Sequence, residues 1–313
     1  MTAFAHPATR GIVIAAIAVL LLASLLIAGL SITGRAKPAL VRELWLRTAS
    51  WAVLLPLLMA PVLLGRVWTI ALVALLGLLC QREYDRATGQ FREPLVTATV
   101  TLGVLAMNAA ALDAWYGLFM ALIPLTVGLL AIVSIPLDRP HLYVQRTGLA
   151  IFAFMLFGAG LAHLGYIAND RNYRPIILML LTTVALNDVF AFTFGKLIGG
   201  RKLLPATSPN KTIAGALGAL LATSAVVAGI GSSVFAGTGL DNWLLLLGLG
   251  LIVSVAGQAG DLMLSSIKRD LGIKDMGAVI PGHGGMLDRF NSLLLVAPAA
   301  FHYIAYFSGF GLD

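Results

Sequence analysis

Ten stretches of this chain are almost unbroken apolar sequence, at 11–33, 48–65, 67–81, 95–112, 116–136, 147–168, 175–195, 212–236, 243–263 and 291–310. A helix that crosses bilayer hydrocarbon needs about 20 mostly apolar residues. The composition leaves no soluble alternative. Of 313 residues, 59% are hydrophobic and 11% charged, whereas a soluble domain carries roughly 25% charged residues. The polar residues are too few to coat a water-facing fold. The expected fold is therefore all-α, a polytopic integral membrane protein of about ten transmembrane helices forming one membrane domain, 1–313. The first run is too long for a signal-peptide core and reads as a retained helix. The pair at 48–81 is short for two spans. Gly65 and Arg66 mark its turn, and Pro56 and Pro61 fall in its first arm, where a membrane helix tolerates them.

The net charge of +7 would suggest nucleic acid in a soluble protein. Here the basic residues lie in short loops between apolar runs, so they read as orientation signals and no nucleic acid partner is expected. With the N-terminus outside and strict alternation, the inside loops are 34–47, 82–94, 137–146, 196–211 and 264–290. They hold seventeen of the 21 Lys and Arg residues. Arg10, Arg66, Arg171 and Arg174 are the others. Cys80 is the only cysteine, which excludes an internal disulfide and a cysteine metal cluster.

Two acids sit where acids are costly. Asp188 precedes Lys196 by eight residues, and Asp261 precedes Lys268 by seven. Each lies about two helical turns inside the cytoplasmic end of its helix. A carboxylate at that depth costs roughly a few kcal/mol unless it is paired, hydrated or bound to a cation. Singly, each reads equally well as a helix-packing hydrogen bond. Together, each followed by a long basic loop, they suit a metal-bound nucleotide triphosphate.

The loop 196–211 ends in Ser208-Pro209-Asn210-Lys211-Thr212. Polar caps and a lysine at a helix start suit phosphate. The Walker A spacing is absent, and alone this loop reads as a capped, topology-setting connector. The loop 264–290 is more specific. Gly282, Gly284 and Gly285 bracket His283, and Asp288 and Arg289 follow. The glycines let backbone approach a ligand. His283 has no second His or Cys spaced to make a zinc site.

This second loop resembles the signature of the phosphatidate cytidylyltransferases, or CDP-diacylglycerol synthases. The pattern is Ser-x-hydrophobic-Lys-Arg, four residues, Lys-Asp, then Pro-Gly-His-Gly-Gly-hydrophobic-x-Asp-Arg, here Ser265 through Arg289 without a gap. Asn187-Asp188, Phe194-Gly195-Lys196, Ser208 to Thr212 with Gly215, and Gly260-Asp261-Leu262 resemble the family's upstream blocks. The resemblance covers about 180–300, which divides the chain into a helical scaffold, 1–175, and a catalytic part, 176–313. Four positions depart from the family pattern: Asn291 for Asp, Leu264 for Glu, Ile213 for an aromatic and Phe192 for Tyr.

The resemblance implies transfer of a cytidylyl group from CTP to phosphatidate, giving CDP-diacylglycerol and pyrophosphate, in the cytoplasmic membrane with the active site facing the cytoplasm. It implies catalytic roles for Asp261, Asp288, Lys268 and Arg269. Asp188, Asp261 and Asp288 would hold Mg²⁺, with or without a second cation, and Asn291 would supply a neutral oxygen. Ser208, Asn210, Lys211, Lys274, His283, Gly284, Gly285 and Arg289 would bind nucleotide and phosphate. Partners are then CTP, the lipid phosphate and membrane lipids. Family members can form a homodimer, although no helix face here declares an interface. Rival readings are a CTP-dependent enzyme acting on another lipid phosphate or polyprenol, a non-catalytic paralogue, and more distantly a transporter.

Overall fold

The computed structural model describes residues 3–33, 37–277 and 284–309. Among them, nine helices are long and apolar enough to cross a membrane. These are α1 (Pro7–Ile32), α2 (Pro38–Leu64), α3 (Arg66–Thr88), α4 (Pro94–Asp113), α6 (Tyr143–Asn169), α7 (Tyr173–Ile198), α8 (Ile213–Val234), α9 (Trp243–Asp270) and α10 (Met286–Ser308). A shorter apolar helix, α5 (Tyr116–Ile132), completes the ten. Each corresponds to one apolar run, so the polytopic all-α fold stands as expected. Gly65 does divide α2 from α3, and both Pro56 and Pro61 lie inside α2. The leucines and isoleucines of α1 are largely exposed, Leu25 at 70%, which is the surface a lipid-facing helix presents.

Small residues bring α7, α8 and α9 together. A Cβ on Gly215 would strike the Ala191 carbonyl of α7, and one on Gly250 would strike Ser224 of α8. With little hydrophobic drive between helices in lipid, such backbone approach supplies the packing energy. A buried polar contact fixes the register. Asn187 Oδ1 accepts from Thr223 Oγ1 at 3.1 Å and from Ser254 Oγ at 2.7 Å, joining all three helices. The core of the scaffold is α6, which includes a π-helical segment, Phe154–Gly160, buried against α3 and α4.

Two elements differ from the sequence expectation. Within 196–211 the chain forms an antiparallel hairpin, β1 (Lys202–Leu204) with β2 (Ser208–Thr212), pairing Lys202 with Thr212 and Leu204 with Ser208. The loop 264–290 is helical at both ends, because α9 continues through Lys268 and Arg269 to Asp270 and α10 begins at Met286.

Four of the five basic loops gather at one end of the bundle. Glu83 of α3 contacts the start of α10, Arg146 of α6 lies 3.7 Å from Glu93, and Arg269 Nε donates to the Thr207 carbonyl at 3.3 Å. The opposite turns meet at the other end, where Asn169 and Arg66 both donate to the carbonyl of Ala111. The loops 82–94, 137–146, 196–211 and 264–290 thus share one end of the bundle, and the turns beside Arg66, Ala111 and Asn169 the other.

Candidate active site

Two opposite-charge pairs form at the end of the bundle where the basic loops meet. The first joins Lys211 to Asp261. Lys211 is placed by β2, whose last residue, Thr212, caps α8 by accepting from the Gly215 N–H at 3.1 Å. Asp261 faces it from α9, and the Asn291 amide donates to Asp261 Oδ1 at 2.6 Å. The Asn291 oxygen accepts from the Ser292 N–H at 2.7 Å. Both ends of that amide are therefore engaged, and its oxygen is turned toward its own chain. Gly260 makes this approach possible, since its Cβ would lie 2.5 Å from the Asn291 carbonyl.

Asp188 of α7 lies within electrostatic range of Asp261, Lys211 and Arg289. Three helices and a strand that share no local sequence therefore bring two acids and two cations into one cluster.

The second pair is Lys268 with Asp288, Nζ to Oδ1 at 2.8 Å. Asp288 is 4% exposed at its side chain. Its Oδ2 accepts from the N–H groups of Met276 at 2.9 Å and Gly285 at 3.1 Å. One carboxylate thus closes the loop that connects α9 to α10 and caps the first turn of α10. Gly284, at φ +82°, lies beside it: a Cβ there would be 3.2 Å from Asp288 and 3.4 Å from Asp275. These contacts give a direct expectation. Asp288→Ala removes three bonds to a charged acceptor, each worth about 1.5–3 kcal/mol, so the loop opens locally. Limited trypsin cleavage at Lys274 is expected to quicken at least about tenfold, one factor of ten requiring only about 1.4 kcal/mol. Unchanged cleavage kinetics would exclude this anchoring role.

The sequence reading missed Glu83. It lies in the scaffold part, on α3, and is 6% exposed. Its Oε1 accepts from the Met286 N–H at 2.9 Å and its Oε2 from the Leu287 N–H at 2.8 Å. A carboxylate here satisfies two free N–H groups at a helix start and faces its positive end. The fit is close: a Cβ on Gly277 would lie 2.6 Å from Glu83, and one on Gly285 would collide with its carboxylate. The only local signal was an acid between apolar run and loop, which reads as a solvated end.

The remaining predicted residues are placed as follows. Ser208 and Asn210 stand on β2 beside Lys211, Ser208 half-buried and Asn210 exposed. Arg269 is exposed and reaches Thr207, while Lys274 is exposed on the connecting loop. Arg289 follows Asp288 on the first turn of α10 and is exposed. His283 lies outside the described residues. Leu264 is buried at 1%, so its departure from the family's Glu places an apolar side chain in the core.

The proposed metal set does not assemble as one. Among the described residues, no three His, Cys, Asp or Glu side chains lie close enough to share an ion. Asp288 is occupied by Lys268 and two N–H groups, and the Asn291 oxygen by Ser292. Asp261 is likewise engaged at both oxygens, by the Asn291 amide and by Lys211, and Asp188 is the acid within its electrostatic range.

The ten-helix fold with paired lysines and acids at one end defines a polytopic membrane protein with a charged site suited to phosphate. The family model that matches residues 45–307 is that of the cytidylyltransferase family. The chain belongs to the cytidylyltransferase family, a family of nucleotidyltransferases. It is 29% identical over 271 residues to the uncharacterized protein YnbB of Escherichia coli, covering 84% of this chain and 88% of that one. It is 39% identical over 173 residues to a phosphatidate cytidylyltransferase of Staphylococcus haemolyticus, covering 54% of this chain and 65% of that one. The corresponding Staphylococcus aureus protein is 37% identical over 173 residues, with the same coverage. The chain thus spans just under two thirds of the phosphatidate cytidylyltransferases it matches.

Proposed function

We propose that this protein transfers the cytidylyl group of CTP to phosphatidate, yielding CDP-diacylglycerol and pyrophosphate. The observation that carries this reading is the convergence of Lys211–Asp261 and Lys268–Asp288 with Asp188 at one end of the bundle. Family membership supplies the cytidylyl chemistry, and the phosphatidate cytidylyltransferases among the relatives suggest the acceptor.

In this reading an oxygen of the lipid phosphate attacks the α-phosphorus of CTP. The bond from that phosphorus to the β-phosphate oxygen breaks, and pyrophosphate leaves. A phosphomonoester has its second pKa at about 6, so the nucleophile is already largely ionised and no strong base is required. The protein's task is positioning and neutralisation of charge. Lys211 exchanges Asp261 for a phosphate oxygen, and Lys268, Arg269 and Lys274 hold further phosphate charge. Asp188 and Asp261 would hold Mg²⁺, which supplies positive charge against the triphosphate. The acyl chains stay in the bilayer while CTP enters from the cytoplasm, the side on which the charge distribution places these loops.

The test is pyrophosphate release by the purified protein in detergent with Mg²⁺ and CTP, with and without phosphatidate. Release that requires both substrates is expected. Release that ignores phosphatidate but needs another lipid phosphate would transfer the acceptor assignment. No release with any lipid phosphate, from folded protein, would refute the reading.

A further inference from the structure

Between the end of α3, the turn Gln90–Arg92 and the start of α6 lies a cleft of about 520 Å³. Arg92, Arg139, Arg146 and His141 line it against a single acid, Glu93. Arginines near a membrane surface serve orientation as a matter of course, and the exposed Arg92 and Arg139 alone would say no more. Gln90 adds a different kind of observation. It lines the cleft at 4% exposure, and neither its amide nitrogen nor its oxygen has a partner. Arg146, with 12% of its side chain exposed, likewise has an unpartnered Nε. Buried polar groups are almost always satisfied, and an orphan points to a ligand.

A second groove, about 350 Å³, continues from the first, with Thr88, Gln145 and Leu149 lining both. Its other walls are mainly apolar, including Val144, Phe152, Ile267 and Leu271. A cationic, hydrogen-bonding cleft thus runs into an apolar groove at the ends of membrane helices. That is the polarity profile of a phospholipid headgroup followed by its chain.

We propose that these grooves bind an anionic phospholipid, its phosphate among Arg92, Arg139 and Arg146 and one acyl chain along the apolar groove. Guanidinium groups offer paired donors to phosphate oxygens, and the enclosed Gln90 amide turns from the wall into the cleft to donate. None of the acids or lysines of the catalytic cluster lines either groove, so this site is independent of the proposed reaction. It touches that machinery at two points. The apolar groove ends on the last turn of α9, beside Lys268, and the same end of α3 carries Glu83. A bound acidic lipid therefore orders the helix ends that hold the connecting loop.

The test uses the full-length protein in detergent and phosphatidylglycerol as probe, a phosphodiester that cannot serve as a phosphomonoester acceptor. Bound lipid is counted by native mass spectrometry, with phosphatidylcholine as the neutral control. Wild type is expected to retain phosphatidylglycerol in preference to phosphatidylcholine. The Arg92→Gln/Arg139→Gln double variant changes two exposed side chains and is expected to bind it about 30-fold more weakly, from about 1 kcal/mol for each basic residue near a lipid surface. Gln90→Leu, which keeps a buried side chain, is expected to weaken binding severalfold. Equal retention of the two lipids by wild type would overturn the proposal, and so would unchanged phosphatidylglycerol binding in both variants. Displacement of the lipid by millimolar inorganic phosphate would assign the cleft to a soluble anion and overturn the lipid assignment.

Discussion

Glu83→Gln is expected to lower kcat/KM for CTP about 100-fold, the scale on which a displacement near 1 Å at a reacting centre acts, while leaving the helical bundle folded. The carboxylate holds the N–H groups of Met286 and Leu287 through separate oxygens. Glutamine keeps the size but offers one acceptor and turns an NH₂ toward the other N–H. Two charge-assisted bonds become one neutral bond and one repulsive contact. The first turn of α10 then loses its fixed position, and Asp288 and Arg289 ride on that turn. Glu83 is a positioning residue, so its loss should appear in the CTP kinetics and not in the melting midpoint, because the loop opens locally. Gly285→Ala should reproduce the defect, since its Cβ falls against the same carboxylate. Wild-type kcat/KM in Glu83→Gln would show that the clamp has no bearing on catalysis.

That residue also marks where sequence reasoning ended. The ten apolar runs were legible because hydrocarbon demands length and apolarity, and each run became a helix. Even the uncertain pair divided at Gly65. The helix ends were not legible. Arg82 to Thr88 continue α3 and Ser265 to Asp270 continue α9, because a spanning helix keeps its backbone bonds beyond the hydrocarbon while its side chains turn polar. The hairpin was missed because its strands have three and five residues, too short for alternation to register, and Pro209 argues against a strand.

Within the site, the sequence singled out these acids and bases but not their pairing. Lys211 and Asp261 lie on different elements, as do Lys268 and Asp288, and no periodicity relates them. Nor could spacing show that Asp288 gives one oxygen to Lys268 of α9 and the other to two N–H groups of the connecting loop. Glu83 lay furthest out of reach, some 200 residues from the backbone it binds. Of the glycines on either side of it, Gly277 and Gly285, only Gly285 stood out in the sequence, as a place where backbone can approach a ligand. Their cause is steric: they leave room for a carboxylate from a distant helix.

Asp261→Asn is expected to reduce pyrophosphate release at least about 1,000-fold, the upper scale for removing one preorganised electrostatic contact. Asparagine fills the same volume on α9 and can still accept from the Asn291 amide, so packing survives. What disappears is the charge that faces Lys211 and Asp188. If Asp261 served only as a counterion for Lys211, its loss would be repaired by removing the lysine charge as well, and Asp261→Asn/Lys211→Met would recover activity. If it serves substrate or cation directly, the double variant stays inactive. The half-saturating Mg²⁺ concentration for protection against heat, measured without CTP, supplies a readout independent of turnover. It should rise in Asp261→Asn and fall in Asn291→Asp, which places a second carboxylate where an amide now donates at 2.6 Å. Two carboxylates at that separation repel strongly unless a proton or a cation lies between them. Recovery of activity in Asp261→Asn/Lys211→Met, or Mg²⁺ protection indifferent to both single changes, would reduce Asp261 to a structural counterion and move the cation site elsewhere.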